Sequence, residues 1–141
     1  EAAQESLSAA GSLEGKTLID ITNPLTPDYS ALTLGHTTSA GEQIARLAGG
    51  AKVVKAFNHV FSAVLEQGAE YAGGRPLGLY CGDDARAKAG VAELLQNLGF
   101  DPLDVGGITS SRDLEAAAML IIKLGYMQGL GPQIAYALLR R

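Results

Sequence analysis

Two short apolar segments in the first half of the chain each run into a polar tip. Residues 16–21 end in the tip at 22–24, and residues 52–56 end in the tip at 57–59. The pattern predicts two strands of one βαβ unit, joined by an amphipathic helix. Because the carboxyl ends of parallel strands meet at one edge of a sheet, we expect both tips to line a ligand-binding crevice.

The connection between these strands carries two further signals. Residues 25–38 form a loop that is longer than most strand-to-helix connections, and long loops at strand ends tend to carry function. Ser39 and Glu42 then have the spacing of a capping box, in which the serine oxygen accepts from the third helical N–H and the glutamate reaches back. We therefore expect the connecting helix to begin after Ser39.

The middle of the chain continues the alternation of strands and helices. Strands are predicted at 76–81 and 100–105, the second at a sheet edge because Pro102 cannot donate a ladder hydrogen bond. Helices are predicted over 60–67 and after Asp84, and the apolar positions of the second helix are Val91, Leu94, Leu95 and Leu98. This alternation is typical of an α/β fold.

The last third of the chain predicts two more helices. One runs from Arg112 to about Met127 and is apolar on nearly every face in its middle, and a short one covers residues 132–139. A helix that is apolar all round must be buried on all sides. Either the interior of a domain or another subunit can cover it, and in a chain of this size we expect the second, so the Arg112 to Met127 helix predicts a homodimer.

Composition narrows the classes of function. The 141 residues suffice for one domain, and the net charge of -4 argues against nucleic acid or an anionic membrane as a partner. A single cysteine, Cys81, favours a reducing, cytoplasmic setting. The apolar run at 116–122 is far shorter than the roughly 20 residues that cross a bilayer. His36 and His59 have no partners at metal-ligand spacing, so no metal site is expected.

Two expected features of a nucleotide-binding enzyme are missing from the sequence. No G-x-G-x-x-G follows any strand, so no phosphate-binding turn is predicted. Residues 1–10 read as the later part of a helix, and no methionine precedes Met119. We therefore expect residues 1–141 to be a single partial domain of a longer protein, inactive in isolation. No serine lies in G-x-S-x-G either, and no catalytic side chain is predicted.

Five stretches, read in order, carry a resemblance over about residues 16–131. They are LIDITNP (18–24), AKVVKAFN (51–58), CGDDARAK (81–88), LGFDPLD (98–104) and SSR (110–112) with Glu115. Together they resemble the family of NADP-dependent oxidoreductases that pass hydride between NADPH and the deazaflavin coenzyme F-420. They are also similar to the related cytosolic domains of membrane ferric reductases.

The resemblance implies the second half of a Rossmann-type domain, doubly wound and mostly parallel, with C-terminal helices. NADP and a deazaflavin or flavin are the implied cofactors. The implied cofactor-binding residues lie at the two strand tips: Thr22, Asn23 and Pro24 by the nicotinamide and its ribose, and Phe57, Asn58, His59 and Val60 in the hydride-transfer pocket. Direct transfer between two planar rings requires a dry cleft that holds them face to face and no acid or base from the protein.

Two alternatives stay open at this point. The strand tips fit a ferric or flavin reductase of the same fold equally well. The missing glycine turn fits a binding or dimerisation module without catalysis.

Overall fold

Strands and helices alternate along the chain in a computed structural model of the protein, which describes residues 2–141. The strands are β1 (Thr17–Asp20), β2 (Lys52–Ala56), β3 (Leu77–Gly82) and β4 (Asp101–Asp104). The helices are α1 (Ala2–Ala9), α2 (Ala40–Leu47), α3 (Ser62–Gln67), α4 (Ala85–Asn97) and α5 (Ser111–Ile122). A 3₁₀ turn over Ile108–Ser110 leads into α5, and a π-helical turn over Lys123–Met127 follows it.

The strands form one sheet in the order β1-β2-β3-β4. β1 pairs with β2 in parallel, with Ile19 opposite Val54, and β3 pairs with β4 in parallel. The central pair is antiparallel, with Lys55 opposite Cys81. The mostly parallel α/β fold predicted from the sequence is confirmed, with Pro102 on an edge strand. Because of the antiparallel pair, β3 begins at the sheet edge where β1 and β2 end.

Strand β2 is buried on both faces, which explains its apolar run. Val53 packs with Ile44 and Ala48 of α2 on one face. On the other face Val54 and Ala56 join the main core, which also contains Phe61, Val64, Tyr80, Val91, Leu95, Phe100 and Ile121. Since side chains alternate along a strand, Lys55 lies on the same face as Val53, towards α2.

The helix predicted over residues 132–139 is wrong. Residues 128–141 contain no helix and run as an irregular tail. A helix of eight residues gains little from its own hydrogen bonds, and this segment finds tertiary partners instead. The Tyr136 carbonyl accepts from the Leu77 N–H at 2.8 Å, and its hydroxyl donates to the Ala117 carbonyl at 2.8 Å.

Helix α5 occupies the first part of the predicted Arg112 to Met127 helix and packs largely inside the chain. Leu114, Ala118, Met119 and Ile121 are buried, whereas the Leu120 side chain is 53% exposed. The apolar character of α5 is therefore explained in part by contacts within one copy. No helix within residues 2–141 combines the length and the hydropathy that crossing a bilayer requires.

Candidate functional site

The two polar tips lie against each other at the ends of β1 and β2. Nδ2 of Asn58 donates to Oδ1 of Asn23 at 2.9 Å, and Nδ2 of Asn23 donates to the carbonyl of Asn58 at 2.7 Å. The second Asn58 amide hydrogen goes to the carbonyl of Leu114 in α5, at 2.9 Å. Both Asn58 donors are thus used inside the protein. Asn23, which is half-buried, keeps one amide hydrogen without an acceptor among the described residues.

A cleft of ≈ 570 Å³ opens beside these tips, and we call it the main cleft. Its walls come from the strand ends, the loop after β1, α3 and the end of α5: Ile19, Ile21, Asn23, Leu25, Tyr29, Phe57, Asn58, His59, Val60, Phe61, Ser62, Leu65, Leu98, Ile121, Ile122 and Tyr126. Five of the seven residues predicted at the cofactor rings therefore line one space. Which ligand they contact stays a prediction.

The other two predicted residues lie outside the main cleft. Thr22 lines a neighbouring cleft of ≈ 320 Å³ between α1 and β1. Pro24 shapes the following loop. Its carbonyl accepts two hydrogen bonds from Thr33, one from the backbone N–H at 2.7 Å and one from the side-chain hydroxyl at 3.1 Å. Neither residue contributes a wall to the space beside Asn58.

Apolar side chains dominate the walls of the main cleft. Leu98 belongs to the apolar face predicted for α4, yet its side chain is 45% exposed because it faces the cleft rather than the core. Leu65 is 46% exposed in the same cleft, and Tyr29 and Tyr126 are exposed in its walls. Such walls suit a planar ring, because they exclude water and present flat apolar surface.

Phe57 holds a strained backbone at the tip of β2. Its φ of 62° lies in the left-handed region, which is rare for a bulky side chain. The conformation turns the chain back on itself, and the carbonyl of Phe57 accepts from the N–H of Val60 at 3.0 Å. The ring packs edge-on against Phe100 with centroids 6.3 Å apart. Strain of this kind concentrates at functional sites, where the surrounding structure maintains it.

His59 joins the tip of β2 to β3. The N–H of Leu79 donates to Nε2 at 3.2 Å, the carbonyl of Leu77 lies 3.3 Å from the same nitrogen, and Nδ1 is 3.4 Å from Oδ1 of Asn58. Burial lowers the pKa of His59 below its usual 6.5, so the ring is neutral at pH 7. Its ring also stacks on Tyr136. His59 thus orients the tip and does not supply a charge.

The long loop after β1 is fixed at two places. Near its start, the Asp28 carboxylate accepts hydrogen bonds from Thr26 and Ser30, and these bonds hold the pKa of Asp28 at about 2. At the other end, the guanidinium of Arg112 donates to both carboxylate oxygens of Glu42 and, at 3.1 Å, to the carbonyl of His36. The loop that carries Tyr29 into the main cleft is therefore tied to α2 and α5.

The predicted cap at Ser39 is present at the start of α2, and Glu42 reaches back to the hydroxyl of Ser39 rather than to its backbone N–H. The N–H of Glu42 donates to Oγ of Ser39 at 3.1 Å, and the Ser39 hydroxyl donates to Oε2 of Glu42 at 2.8 Å. Hydrogen bonds from Arg112 above all lower the pKa of Glu42 to about 2. The loop and the first turn of α2 are thereby held as one unit.

A buried charge cluster lies behind the tips, and sequence reasoning missed it. Nζ of Lys55 is 2.7 Å from Oδ2 of Asp20 and 3.0 Å from Oε1 of Glu115, and all three side chains are at most 1% exposed. The Glu115 carboxylate also accepts from the N–H groups of Ala40 and Gly41 at the start of α2. The available signal was Lys55, the one charged residue within the otherwise apolar segment VVKAF (53–57). Among the described residues, no group of three metal-ligating side chains could hold an ion.

Comparison with known sequences finds similarity to metalloreductases. The chain is 39% identical over 115 residues to Metalloreductase STEAP3 of Rattus norvegicus, which covers 82% of this chain and 22% of the relative. It is 30% identical over 112 residues to Metalloreductase STEAP2 of Homo sapiens, covering 79% of this chain and 21% of the relative. The chain thus spans about a fifth of the length of these relatives. No family model matches it.

Comparison with solved structures finds the same fold. A crystal structure from Arthrobacter sp. FB24, provisionally assigned as an F420-dependent NADP-reductase, matches with a TM-score of 0.86 and 37% identity, over 96% of this chain and 64% of that one. The hypothetical protein SMa0349 of Sinorhizobium meliloti matches with a TM-score of 0.70 and 28% identity, over 99% of this chain and 62% of that one. The resemblance predicted from the sequence is confirmed: over most of its length the chain is similar to a provisionally assigned F420-dependent NADP-reductase and to the STEAP metalloreductases.

Proposed function

We propose that the protein containing this chain is an NADPH-dependent oxidoreductase that transfers hydride between NADP(H) and a deazaflavin such as coenzyme F-420. One observation carries the proposal: the strand tips and the apolar walls form a single cleft of ≈ 570 Å³ at the sheet edge where α/β domains bind ligands. The names of the relatives in both comparisons support a redox role and NADP as the cofactor.

The residues present fit a nicotinamide ring and its partner. Asn23 offers an amide hydrogen at the cleft for a carbonyl-type acceptor, and the walls offer apolar surface on several sides. When bound, NADPH supplies a hydride with its electron pair, which the partner ring accepts together with a proton from solvent. Main-chain and side-chain polar groups of the tips are largely paired with one another, so the chain's own contribution is orientation and exclusion of water.

A flavin or ferric reductase of the same fold is the second candidate. The similarity to metalloreductases favours it, because those proteins are named for the reduction of metals. The same cleft and the same hydride donor serve both reactions, and the final acceptor distinguishes them.

The experiment measures NADPH oxidation by absorbance with the full natural protein that contains this chain. Acceptors are coenzyme F-420, a flavin, and a flavin with a ferric chelate. Turnover with F-420 but not with the flavin acceptors supports the first proposal. Turnover that requires a flavin supports the second. NADPH binding without turnover on any acceptor overturns both and leaves a binding module.

A pair of matched variants tests the role of the main cleft. Leu65 and Leu94 are helical leucines with similar exposure, 46% and 39%, but only Leu65 lines the main cleft. We expect Leu65→Gln to lower the transfer rate because it brings a polar, hydrated group into the apolar wall. Leu94→Gln is the control and leaves the rate unchanged. Equal rates in the two variants would contradict a role for this cleft.

We further propose that two copies associate through α5 and the turn that follows it. Apolar side chains that remain exposed there support this, with Leu120 at 53% and Met127 at 47%. Light scattering measures the mass in solution, and Leu120→Lys shifts a dimer towards monomer. Leu139→Lys, at a leucine that is 87% exposed in the tail, is the control. A monomeric wild type overturns the proposal.

A further inference from the structure

The N–H, the carbonyl and the hydroxyl of Thr22 all form hydrogen bonds with the buried charge cluster. Its carbonyl accepts from Nζ of Lys55 at 2.7 Å. Its N–H and its hydroxyl both donate to Oδ1 of Asp20, at 2.9 Å and 2.8 Å. Thr22 itself is exposed, so no packing explains its position. The charged groups behind it therefore determine where the tip of β1 turns.

The same cluster reaches the tip of β2 through α5. Glu115 receives the Lys55 ammonium, and the adjacent Leu114 carbonyl receives the Asn58 amide. Lys55 itself lies on β2, three residues before Asn58 in the chain. The Lys55 ammonium thus joins three elements. It bonds to the Thr22 carbonyl just before Asn23, it belongs to the strand that leads to Asn58, and it pairs with the helix α5 that anchors Asn58.

We propose that Lys55 is a positioning residue for hydride transfer, which acts by holding the Thr22 carbonyl and thereby the Asn23–Asn58 pair at the main cleft. The inference rests on the proposed function. Lys55 and its carboxylate partners are fully buried, and replacing such a group of charges as a whole by well-packed apolar side chains is often neutral or stabilising, so stability alone does not explain the cluster. Its contact with the tip gives it a role that an apolar residue cannot fill.

The test compares Lys55→Met with Val91→Ala in the full natural protein. Val91 is a buried core residue of α4 that lines neither the main cleft nor its neighbour, so its truncation lowers stability without touching the tip. We expect Lys55→Met to lower the single-turnover hydride-transfer rate by about 10- to 100-fold, the size expected when reacting groups are misplaced. NADPH affinity changes much less, and Val91→Ala retains the wild-type rate.

A second variant covers the case in which Lys55→Met does not fold. Lys55→Met combined with Asp20→Asn removes the Lys55–Asp20 ion pair, leaves Glu115 with its two backbone donors, and keeps a side-chain oxygen at position 20 that can accept from Thr22. We expect the same loss of rate, because the donor to the Thr22 carbonyl is still missing. A folded double variant with the wild-type rate overturns the proposal.

An independent readout separates this inference from the proposed function. The side-chain amide signals of Asn23 and Asn58 in a nitrogen–proton NMR spectrum report on the pair directly. They shift or broaden in the Lys55 variants and stay in place in Val91→Ala. If the wild type transfers no hydride but these signals respond, the proposed function fails and Lys55 still holds the tip. If the signals do not move, Lys55 has no positioning role.

Discussion

Asn58 and Asn23 exchange side-chain hydrogen bonds across the ends of two parallel strands, although 35 residues separate them in the chain. The two partners are not equivalent. Both line the main cleft, but Asn58 is 6% exposed and has a further acceptor in the carbonyl of Leu114, whereas Asn23 is half-buried and keeps one amide hydrogen without an acceptor among the described residues. One amide is therefore part of the scaffold and the other faces the ligand space.

This asymmetry predicts different consequences for the two alanine variants. We expect Asn58→Ala to lower the free energy of unfolding by about 1–3 kcal/mol, because a buried carbonyl loses its donor. Asn23→Ala costs less than about 1 kcal/mol, since water in the cleft replaces the lost amide. Chemical denaturation measures both, with Asn97→Ala at an exposed asparagine as the control. Equal costs at positions 23 and 58 would show that the two amides have the same role.

Because the backbone of Phe57 is left-handed, we expect glycine to be a more stable replacement than alanine at this position, the reverse of the usual order. Alanine keeps the strain at φ 62°, whereas glycine adopts this conformation without a steric penalty. We expect Phe57→Gly to be more stable than Phe57→Ala by about 1 kcal/mol, although both lose the contact with Phe100. Thermal unfolding of the two variants measures the difference. At Phe100, where φ is not positive, alanine is the more stable replacement, and the same order at position 57 would exclude strain there.

The sequence predicted the strands and helices and the place of the site better than it predicted the pairing of the strands and the contacts around the site. Short apolar runs located every strand, and the tips at Asn23 and Asn58 were visible because polar residues followed those runs. The antiparallel pairing of β3 was not predictable, because one strand has the same pattern in either direction. Leu98 shows a second limit, since periodicity identifies an apolar face but not whether a core or a cleft lies against it.

Two further features depended on contacts that are distant in the chain. Lys55 meets Asp20 and Glu115 across 35 and 60 residues, and nothing local to the strand indicates those partners. The tail around Tyr136 has the composition of a helix, but its hydrogen bonds with Leu77 and Ala117 favour an irregular path.

The pair of Glu42 and Arg112 predicts how stability depends on pH. The pKa of Glu42 is lowered from its usual 4.5 to about 2 in the folded state. Its contribution is therefore complete above pH 4.5 and is lost as the pH falls from 4.5 towards 2. We expect about 1 kcal/mol, because the Arg112 side chain is 34% exposed and solvent screens the pair.

Arg112→Met removes this part of the pH dependence. Urea unfolding at several pH values between neutral and strongly acidic conditions measures it, with Lys52→Met at an exposed lysine as the control. The control retains the acid-side loss of stability that the wild type shows. If Arg112→Met retains it too, another carboxylate causes it.

Two helical glycines predict opposite effects of the same substitution. In α4, a Cβ at Gly90 meets nothing within 4 Å, so Gly90→Ala stabilises the protein by about 0.5–1 kcal/mol through the helix preference of alanine. In α2, a Cβ at Gly41 would lie 2.8 Å from Cβ of Ser111 and 3.2 Å from Cδ of Lys55. We expect Gly41→Ala to cost about 1–3 kcal/mol, because α2 must move away from Ser111 at the start of α5. Thermal unfolding measures both, and a stabilising Gly41→Ala would show that the contact between α2 and α5 relaxes without cost.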